Sequence, residues 1–179
     1  MSDATPSDDG FAAAVALVLA HEGGFQAMPD DPGNWTGGKI GAGALNGTKY
    51  GISAATYPTH DIAALTAADA AAIYRRDFWD RWGLAQLPPA IAGKLLDAAV
   101  NIGIDDAVRC LQRALRAAGQ ALAEDGKLGE ATLAAAAAVP PALVLPALRE
   151  ALAGHYRLIA ARQPGEARFL TGWLARAYS

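Results

Sequence analysis

Apolar residues in the first part of the chain recur at the spacing of an α-helix. One face of such a helix carries Phe11, Val15, Val18, Leu19 and Glu22. Polar residues able to cap its first turn precede this face, namely Ser7, Asp8 and Asp9. A pair of glycines directly after Glu22 ends the helical pattern. The pattern predicts a helix that carries Glu22 near its C-terminal end.

The segment from residue 25 to residue 53 is dense in Gly, Asp, Asn and Pro. A short β-prone run, Tyr50-Gly-Ile-Ser53, lies at its end and is typical of a small hairpin. Loops of this length in a compact domain usually serve a function. We therefore expect an extended functional loop with a small hairpin after the first helix.

From Thr66 onward the pattern is helical to the end of the chain. The first of these helices begins at a capping-box-like sequence, Thr66-Ala-Ala-Asp69. Further helices are predicted from Pro88-Pro89 through Ile102, from Asp105 to Gly119, from about Glu130 to Ala138, from Pro140-Pro141 to about Arg162, and around Phe169, Leu170, Trp173 and Leu174. A turn is predicted at Asp125-Gly126. No segment resembles a flexible linker, so the sequence predicts a mainly α fold packed as one compact unit.

Composition excludes several classes of protein. The 179 residues carry a net charge of −3, and the 15 Lys and Arg are spread without a basic run, which argues against a nucleic-acid partner. The single cysteine, Cys110, excludes an intrachain disulfide, and its apolar surroundings predict an inert thiol. The apolar run from residue 11 to residue 20 is too short to span a bilayer, so we expect no stable membrane insertion.

The sequence His21-Glu22-Gly23-Gly24 is the most informative site for chemistry. Partial burial and the negative end of the helix dipole are both expected to raise the pKa of Glu22. A carboxyl that stays protonated near neutral pH can donate a proton to the leaving oxygen of a sugar bond. A structural alternative stays open, because many helices end with Glu before Gly.

Three motifs in this part of the chain resemble a known family. Glu22-Gly-Gly-Phe25, Asp30-Asp-Pro-Gly33 and Thr48-Lys-Tyr-Gly-Ile-Ser53 look like the N-terminal signature of glycoside hydrolase family 108, N-acetylmuramidases found among phage endolysins and secretion-associated muramidases. Downstream, Leu96-Asp-Ala-Ala-Val-Asn-Ile-Gly103, Leu111-Gln112 and Asp125-Gly-Lys-Leu-Gly-Glu-Ala-Thr132 resemble the predicted peptidoglycan-binding region of the family. The resemblance implies a lysozyme-like fold, with a catalytic region at residues 1–85 and a binding region at residues 86–179.

The resemblance also implies a reaction, hydrolysis of the β-1,4 bond between N-acetylmuramic acid and N-acetylglucosamine. Glu22 would act as general acid, and Asp31 would stabilise the oxocarbenium-like transition state or orient water. Asp31 as a turn cap is the equally weighted alternative. Peptidoglycan is the implied partner of a monomer that needs no cofactor and no metal.

A third residue of the implied site is a threonine, and two compete for the role. Common family members run directly from Pro-Gly to Thr, whereas residues 34–47 intervene here. Thr36 keeps the shorter spacing from Glu22, and Thr48 keeps the family context. We predict that Thr48 positions the water, on a strand that points Thr48, Tyr50 and Ile52 to the same side.

Substrate-binding residues are predicted from side-chain chemistry. Phe25, Trp35 and Tyr50 offer rings that stack on sugars, with core packing as the alternative. Asp97 and Asn101 lie one helical turn apart and are predicted to line the cleft opposite Glu22. A buried polar pair that secures loops is an equal alternative for these two residues.

Other functions fit the sequence less well. The near-P-loop from residue 33 to residue 39 lacks the required Ser or Thr at Ile40, and His21, His60 and His155 lack the spacing of a zinc amidase. A lytic transglycosylase and a non-catalytic peptidoglycan-binding module stay open as alternatives. Acids at the N-terminus argue against a Sec signal, so a phage-type lysin would wait in the host cytoplasm for release by a holin or another non-Sec route.

Overall fold

A computed structural model describes the backbone of residues 6–179 and the side chains from residue 10 onward. Asp3 and the side chains of Ser7, Asp8 and Asp9, which were predicted to cap the first helix, lie outside the described part. Within it, no helix is long and apolar enough to cross a membrane.

The described chain is mainly helical, as predicted. The helices are α1 (Pro6–His21), α2 (Ala67–Tyr74), α3 (Pro89–Ile102), α4 (Ile104–Ala117), α5 (Glu130–Ala138), α6 (Pro141–Arg162) and α7 (Leu170–Tyr178), and the strands are β1 (Thr48–Lys49) and β2 (Ile52–Ser53). A π-helical segment, Arg75–Asp80, follows α2, and short 3-10 turns lie at Pro32–Asn34, Leu84–Gln86 and Pro164–Phe169. The capping box at Thr66 and the proline starts of α3 and α6 are confirmed.

Helix α3 lies at the centre of the fold. Every residue from Ile91 to Ala99 is buried, because α1, α4 and α6 pack around it. Its small residues permit close approach, and a side chain at Gly93 would lie only 3.7 Å from Ala14 of α1. This burial includes the charged residues Lys94 and Asp97, which must find partners inside the protein.

The small hairpin reverses the chain inside the segment that was predicted to be one strand. Thr48 pairs with Ser53 and Lys49 with Ile52, so Tyr50 and Gly51 form a two-residue turn. Both have positive φ, 53° and 73°, as a type I′ turn requires. The predicted continuous strand with Thr48, Tyr50 and Ile52 on one side is therefore wrong, because the chain reverses direction at Tyr50.

The inserted segment forms a protruding loop that is closed at its base. Trp35 and Leu45 form an isolated antiparallel β-bridge. The backbone N–H groups of Asn46 and Gly47 both donate to the Asn34 carbonyl, at 2.9 and 3.0 Å. The two ends of the insertion are thus adjacent in space. Thr48 therefore lies beside Asn34, although the two residues are 14 positions apart along the chain.

The segment at Asp125-Gly126, where a turn is predicted, packs against α4. The buried Gln112 side chain accepts from the Gly126 N–H at 2.9 Å and donates to Asp125 Oδ1 at 2.8 Å. It also lies within hydrogen-bond distance of the Lys127 carbonyl and the Thr132 hydroxyl. The Gln112 side chain therefore holds the segment that leads into α5.

We expect Gln112→Leu to lower the free energy of unfolding by about 2 kcal/mol or more, because the buried Gly126 N–H loses its acceptor. Chemical denaturation measures this change. The same substitution at the exposed Gln163 is the control and should change stability by less than about 0.5 kcal/mol. Equal effects at the two positions would contradict the role assigned to Gln112.

Candidate active site

Glu22 lies directly after the last residue of α1 and keeps the helical hydrogen bond from its N–H to the Val18 carbonyl, at 3.0 Å. Its side chain is 17% exposed. A Cβ at Gly51 would lie 2.8 Å from Glu22 Oε2, so the hairpin turn approaches the carboxylate closely. Arg176 of α7 contacts the other oxygen, Oε1, at 2.9 Å. The carboxylate is therefore held between the hairpin and the last helix.

Two hydrogen bonds fix the hairpin over Glu22. The Tyr50 N–H donates to the Gly23 carbonyl at 3.2 Å, and the Tyr74 hydroxyl donates to the Tyr50 carbonyl at 2.6 Å. Burial and, secondarily, the charge of Glu22 raise the pKa of Tyr74, so it stays a neutral donor. The strained backbone of Tyr50 is thus held from both sides, as is common near functional sites.

An ion cluster lies behind the carboxylate. Arg176 binds Asp97 through Nε and Nη2, each 3.0 Å from Oδ1, and its Nη2 also donates to the Asp97 carbonyl at 3.2 Å. Nδ1 of His21 lies 2.9 Å from the same Oδ1. Lys94 lies 3.8 Å from Asp97 Oδ2 and donates to the Arg176 carbonyl at 2.6 Å. The cluster joins α1, α3 and α7.

The cluster is organised around the negative charge of Asp97. Burial opposes the charge of Arg176, but Asp97 and Glu22 outweigh it and raise the pKa of Arg176. At Lys94 burial prevails over Asp97 and lowers the pKa. Both side chains of the Arg176–Asp97 pair are shielded from solvent, at 11% and 4% exposure, so their attraction is poorly screened.

A second polar network holds the predicted residues Asp31 and Thr48. The Thr48 hydroxyl donates to Oδ1 of the buried Asn34 at 2.7 Å, and Gln26 Nε2 donates to the same oxygen at 3.1 Å. Asp31 accepts from the Gly33 N–H at 2.8 Å and from Gln26 at 3.3 Å. Asp31 therefore has the capping geometry that the sequence left open as an alternative.

The other threonine is engaged inside the insertion. The Thr36 hydroxyl accepts from the Ala44 N–H at 2.9 Å, within the protruding loop. Thr48, by contrast, also forms two backbone hydrogen bonds with Gln26, in the segment that follows Glu22 and its two glycines. This arrangement supports Thr48 as the threonine of the site, and its role with water stays a prediction.

The predicted substrate-binding residues lie in different environments. Phe25 is 48% exposed beside Gly47, whereas Trp35 is half-buried and donates from Nε1 to the Pro29 carbonyl at 2.9 Å. Tyr50 is half-buried at the hairpin turn. Asn101 is exposed and accepts from the Tyr156 hydroxyl at 2.8 Å. Asp97 is only 3% exposed, so it fits the buried polar role that was left open as an alternative to lining the cleft.

Sequence reasoning missed Arg176 and Gly51. Arg176 has no local signal, because it lies 154 residues from its partner Glu22 and on an ordinary amphipathic helix. Gly51 lies within the motif from Thr48 to Ser53, but only its positive φ and its close approach to Glu22 show why glycine is needed there. Neither property can be deduced from residue type alone.

A mainly α fold with a small hairpin closed over a carboxylate at a helix end is the arrangement of a lysozyme-like glycan hydrolase. Comparison with protein families agrees. The glycosyl hydrolase 108 model matches residues 15–103, and the model of a predicted peptidoglycan domain matches residues 106–178. The chain belongs to the glycosyl hydrolase 108 family and is a glycoside hydrolase that acts on peptidoglycan.

A solved structure, that of Brucella abortus SagA, is similar to the chain over almost its full length. The TM-score is 0.67 and the sequence identity 26%, covering 95% of this chain and 94% of that one. A search of curated proteins found no match. The two family matches meet between residues 103 and 106, near the break between α3 and α4. The division predicted at residue 85 stays a prediction.

We expect Gly51→Ala to reduce turnover by about 10-fold or more, because the added methyl would displace Glu22 or the Tyr74 hydroxyl, 2.6 Å away. A turbidity assay on cell walls measures this loss. Gly41→Ala is the matched control, because Gly41 also has positive φ but has no atom within 4 Å of an added Cβ. If both variants lose activity equally, backbone strain and not contact with Glu22 is responsible.

Proposed function

We propose that this protein hydrolyses the β-1,4 bond between N-acetylmuramic acid and N-acetylglucosamine, with Glu22 as the general acid. The supporting observation is the position of its carboxylate. It is partly exposed at the end of α1, one oxygen faces the hairpin turn and the other Arg176, and it lies within the region matched by the hydrolase family. Protonation of the glycosidic oxygen by such a carboxyl starts the cleavage of a sugar bond.

Thr48 is the residue that we assign to the attacking water. Its hydroxyl is fixed by Asn34, and its backbone is fixed by Gln26, so it can hold a water with little loss of order. Asp31 supports this group, because it accepts from Gln26 while it caps the turn at Gly33. We propose that Asp31 acts mainly through this support, with direct stabilisation of the transition state as the alternative.

Sugar contacts are assigned to residues with exposed surface. Phe25 has the largest exposed fraction of the three predicted platforms, and it directly follows Glu22 and the two glycines. Trp35 and Tyr50 present partly exposed rings on the insertion and the hairpin. Asn101 is exposed at the end of α3 and extends the binding surface toward α6. For the buried Asp97 we propose a role behind the site instead of a sugar contact.

We expect Glu22→Gln to reduce hydrolysis of purified peptidoglycan well beyond ~10²-fold while the protein stays folded, because an amide cannot donate the required proton. Mass spectrometry of the muropeptides tests both the bond and the reaction. Reducing N-acetylmuramic acid ends support hydrolysis, whereas anhydro ends would indicate a transglycosylase.

A matched control for this experiment is Glu130→Gln, at an exposed position in the first turn of α5. Its activity should equal that of the wild type. A folded Glu22→Gln variant with near-normal turnover would refute the catalytic assignment, and undigested peptidoglycan with the wild type would favour a binding module.

We expect Thr48→Val to reduce turnover by up to ~10²-fold, since a misplaced water-orienting group is costly, whereas Thr36→Val should have a mild effect. Each variant replaces a threonine hydroxyl with a methyl group. In Thr36→Val the only hydrogen bond lost by this change is the one to the Ala44 N–H within the insertion. Initial rates on the same peptidoglycan compare them directly. If Thr36→Val is the more damaging change, Thr48 is not the threonine of the site.

A further inference from the structure

We propose that Arg176 is a positioning residue for the catalytic acid, and that Asp97 controls how strongly Arg176 holds it. The inference rests on the proposed role of Glu22. It assigns part of the catalytic site to α7, which lies in the region matched by the predicted peptidoglycan domain. Nothing in the local sequence around Arg176 indicates such a role.

The guanidinium is shared unequally between its two carboxylate partners. Asp97 receives contacts from Nε and Nη2 at both its side chain and its carbonyl, between 3.0 and 3.2 Å. Glu22 receives one contact, from Nη1 at 2.9 Å. Asp97 therefore anchors Arg176, and the remaining nitrogen reaches Glu22. Because Asp97 holds Arg176 through Nε and Nη2, the contact between Nη1 and Glu22 can lengthen or break while the arginine stays in place.

Burial makes the contact with Glu22 stronger than an ordinary surface ion pair. The side chains of Arg176 and Glu22 are 11% and 17% exposed. The Arg116–Glu124 pair on the surface has nearly the same distance, 3.1 Å, but its side chains are 53% and 25% exposed. Because exposed pairs are screened by water and contribute little, the two pairs form a matched comparison within one chain.

The arrangement suits each stage of proton transfer. Protonation of Glu22 removes one negative charge, but Arg176 is then still neutralised by Asp97, so no buried charge is left alone. When Glu22 gives its proton to the glycosidic oxygen, an O–H bond forms there and the C–O bond to the leaving sugar breaks. Arg176 then stabilises the resulting carboxylate. It thereby favours proton donation and fixes the orientation of the donor.

Several other ionisable groups face this pair. They are His21 on α1, Tyr74 on α2, Lys94 and Asp97 on α3, and Tyr156 on α6. Burial raises the pKa of Tyr156 to about 12 and also raises that of Tyr74, so both stay neutral in the assay. His21 contacts Asp97 and not Glu22, and His21→Gln shows separately what this histidine adds to any pH dependence.

The test is the dependence of kcat/KM on pH with soluble peptidoglycan fragments. Loss of the active acid at high pH defines the alkaline limb of this profile. In Arg176→Gln the limb should move to higher pH by about one unit, and kcat should fall by about 10-fold or more. Arg176→Lys keeps the charge, so its limb should stay nearer to the wild-type position while kcat falls. Arg116→Gln, in the surface pair, should leave both unchanged.

Asp97→Asn should move the alkaline limb in the opposite direction, to lower pH, because the released guanidinium then interacts with Glu22 alone. The double variant Arg176→Gln, Asp97→Asn should follow the Arg176→Gln profile, since Asp97 acts through the arginine. Additive shifts in the double variant would overturn the role of Asp97. A purely structural cluster would lower stability and activity without opposite shifts of the limb.

Thermal unfolding of each variant accompanies the kinetics. If Arg176→Gln does not fold, the comparison of Asp97→Asn with Arg176→Lys decides the question, because the limb should move to lower pH in Asp97→Asn and stay nearer to the wild-type position in Arg176→Lys. An unmoved limb in folded Arg176→Gln or, where that variant does not fold, in Asp97→Asn would overturn this inference, and an inactive Glu22→Gln would leave the proposed function intact. An active Glu22→Gln would overturn the proposed function itself.

Discussion

The buried ion pair between Asp97 and Arg176 is the interaction on which the site depends. Desolvation of two charges is expensive, and removal of one partner from such a pair typically costs about 3–5 kcal/mol. The pair ties α7 to α3, and its neighbours His21 and Glu22 tie both to the end of α1. The orientation of the carboxylate therefore depends on the packing of helices that lie far apart in the sequence.

The hairpin lies on the opposite side of the Glu22 carboxylate from Arg176, and its geometry is set by the backbone. A two-residue turn with positive φ at both positions brings Gly51 against Glu22. Tyr50 has a positive φ there, which is unfavourable for a residue with a side chain. Two hydrogen bonds compensate for it: the Tyr74 hydroxyl donates to the Tyr50 carbonyl, and the Tyr50 N–H donates to the Gly23 carbonyl. A flexible loop could not keep Gly51 this close to the Glu22 carboxylate, so the strained turn serves to position the hairpin.

Local chemistry explains which parts of the fold could be predicted. Thr66 and Asp69 form a capping box, and the prolines at the starts of α3 and α6 act within one helical turn, so their effects are visible in a short sequence. The run from Tyr50 to Ser53 misled the strand prediction, because β propensity does not reveal a reversal at Tyr50. The position of Glu22 at a helix end could be predicted from the local pattern, and its catalytic role stays a proposal.

Long-range contacts explain what could not be predicted. Burial and the helix dipole at Glu22 are local effects that a sequence can indicate, whereas the contact with a guanidinium from α7 is not. The same limit applies to Asp97, whose type and spacing suit either a cleft or a buried cluster, and only the approach of Arg176 and His21 decides between them.

The insertion separates Thr48 from Asn34 along the chain but not in space. Residues that follow Asn34 leave the site and return to it at Gly47, and the Asn34 carbonyl joins both ends by accepting two N–H groups. Because the base is closed, the length of the loop beyond it has little effect on where Thr48 lies. The Thr48 hydroxyl then meets Asn34, next to the residue that precedes the insertion. Thr36 has the shorter sequence distance from Glu22, but its hydroxyl contacts only Ala44 inside the loop, and this difference in contacts is the reason for proposing Thr48.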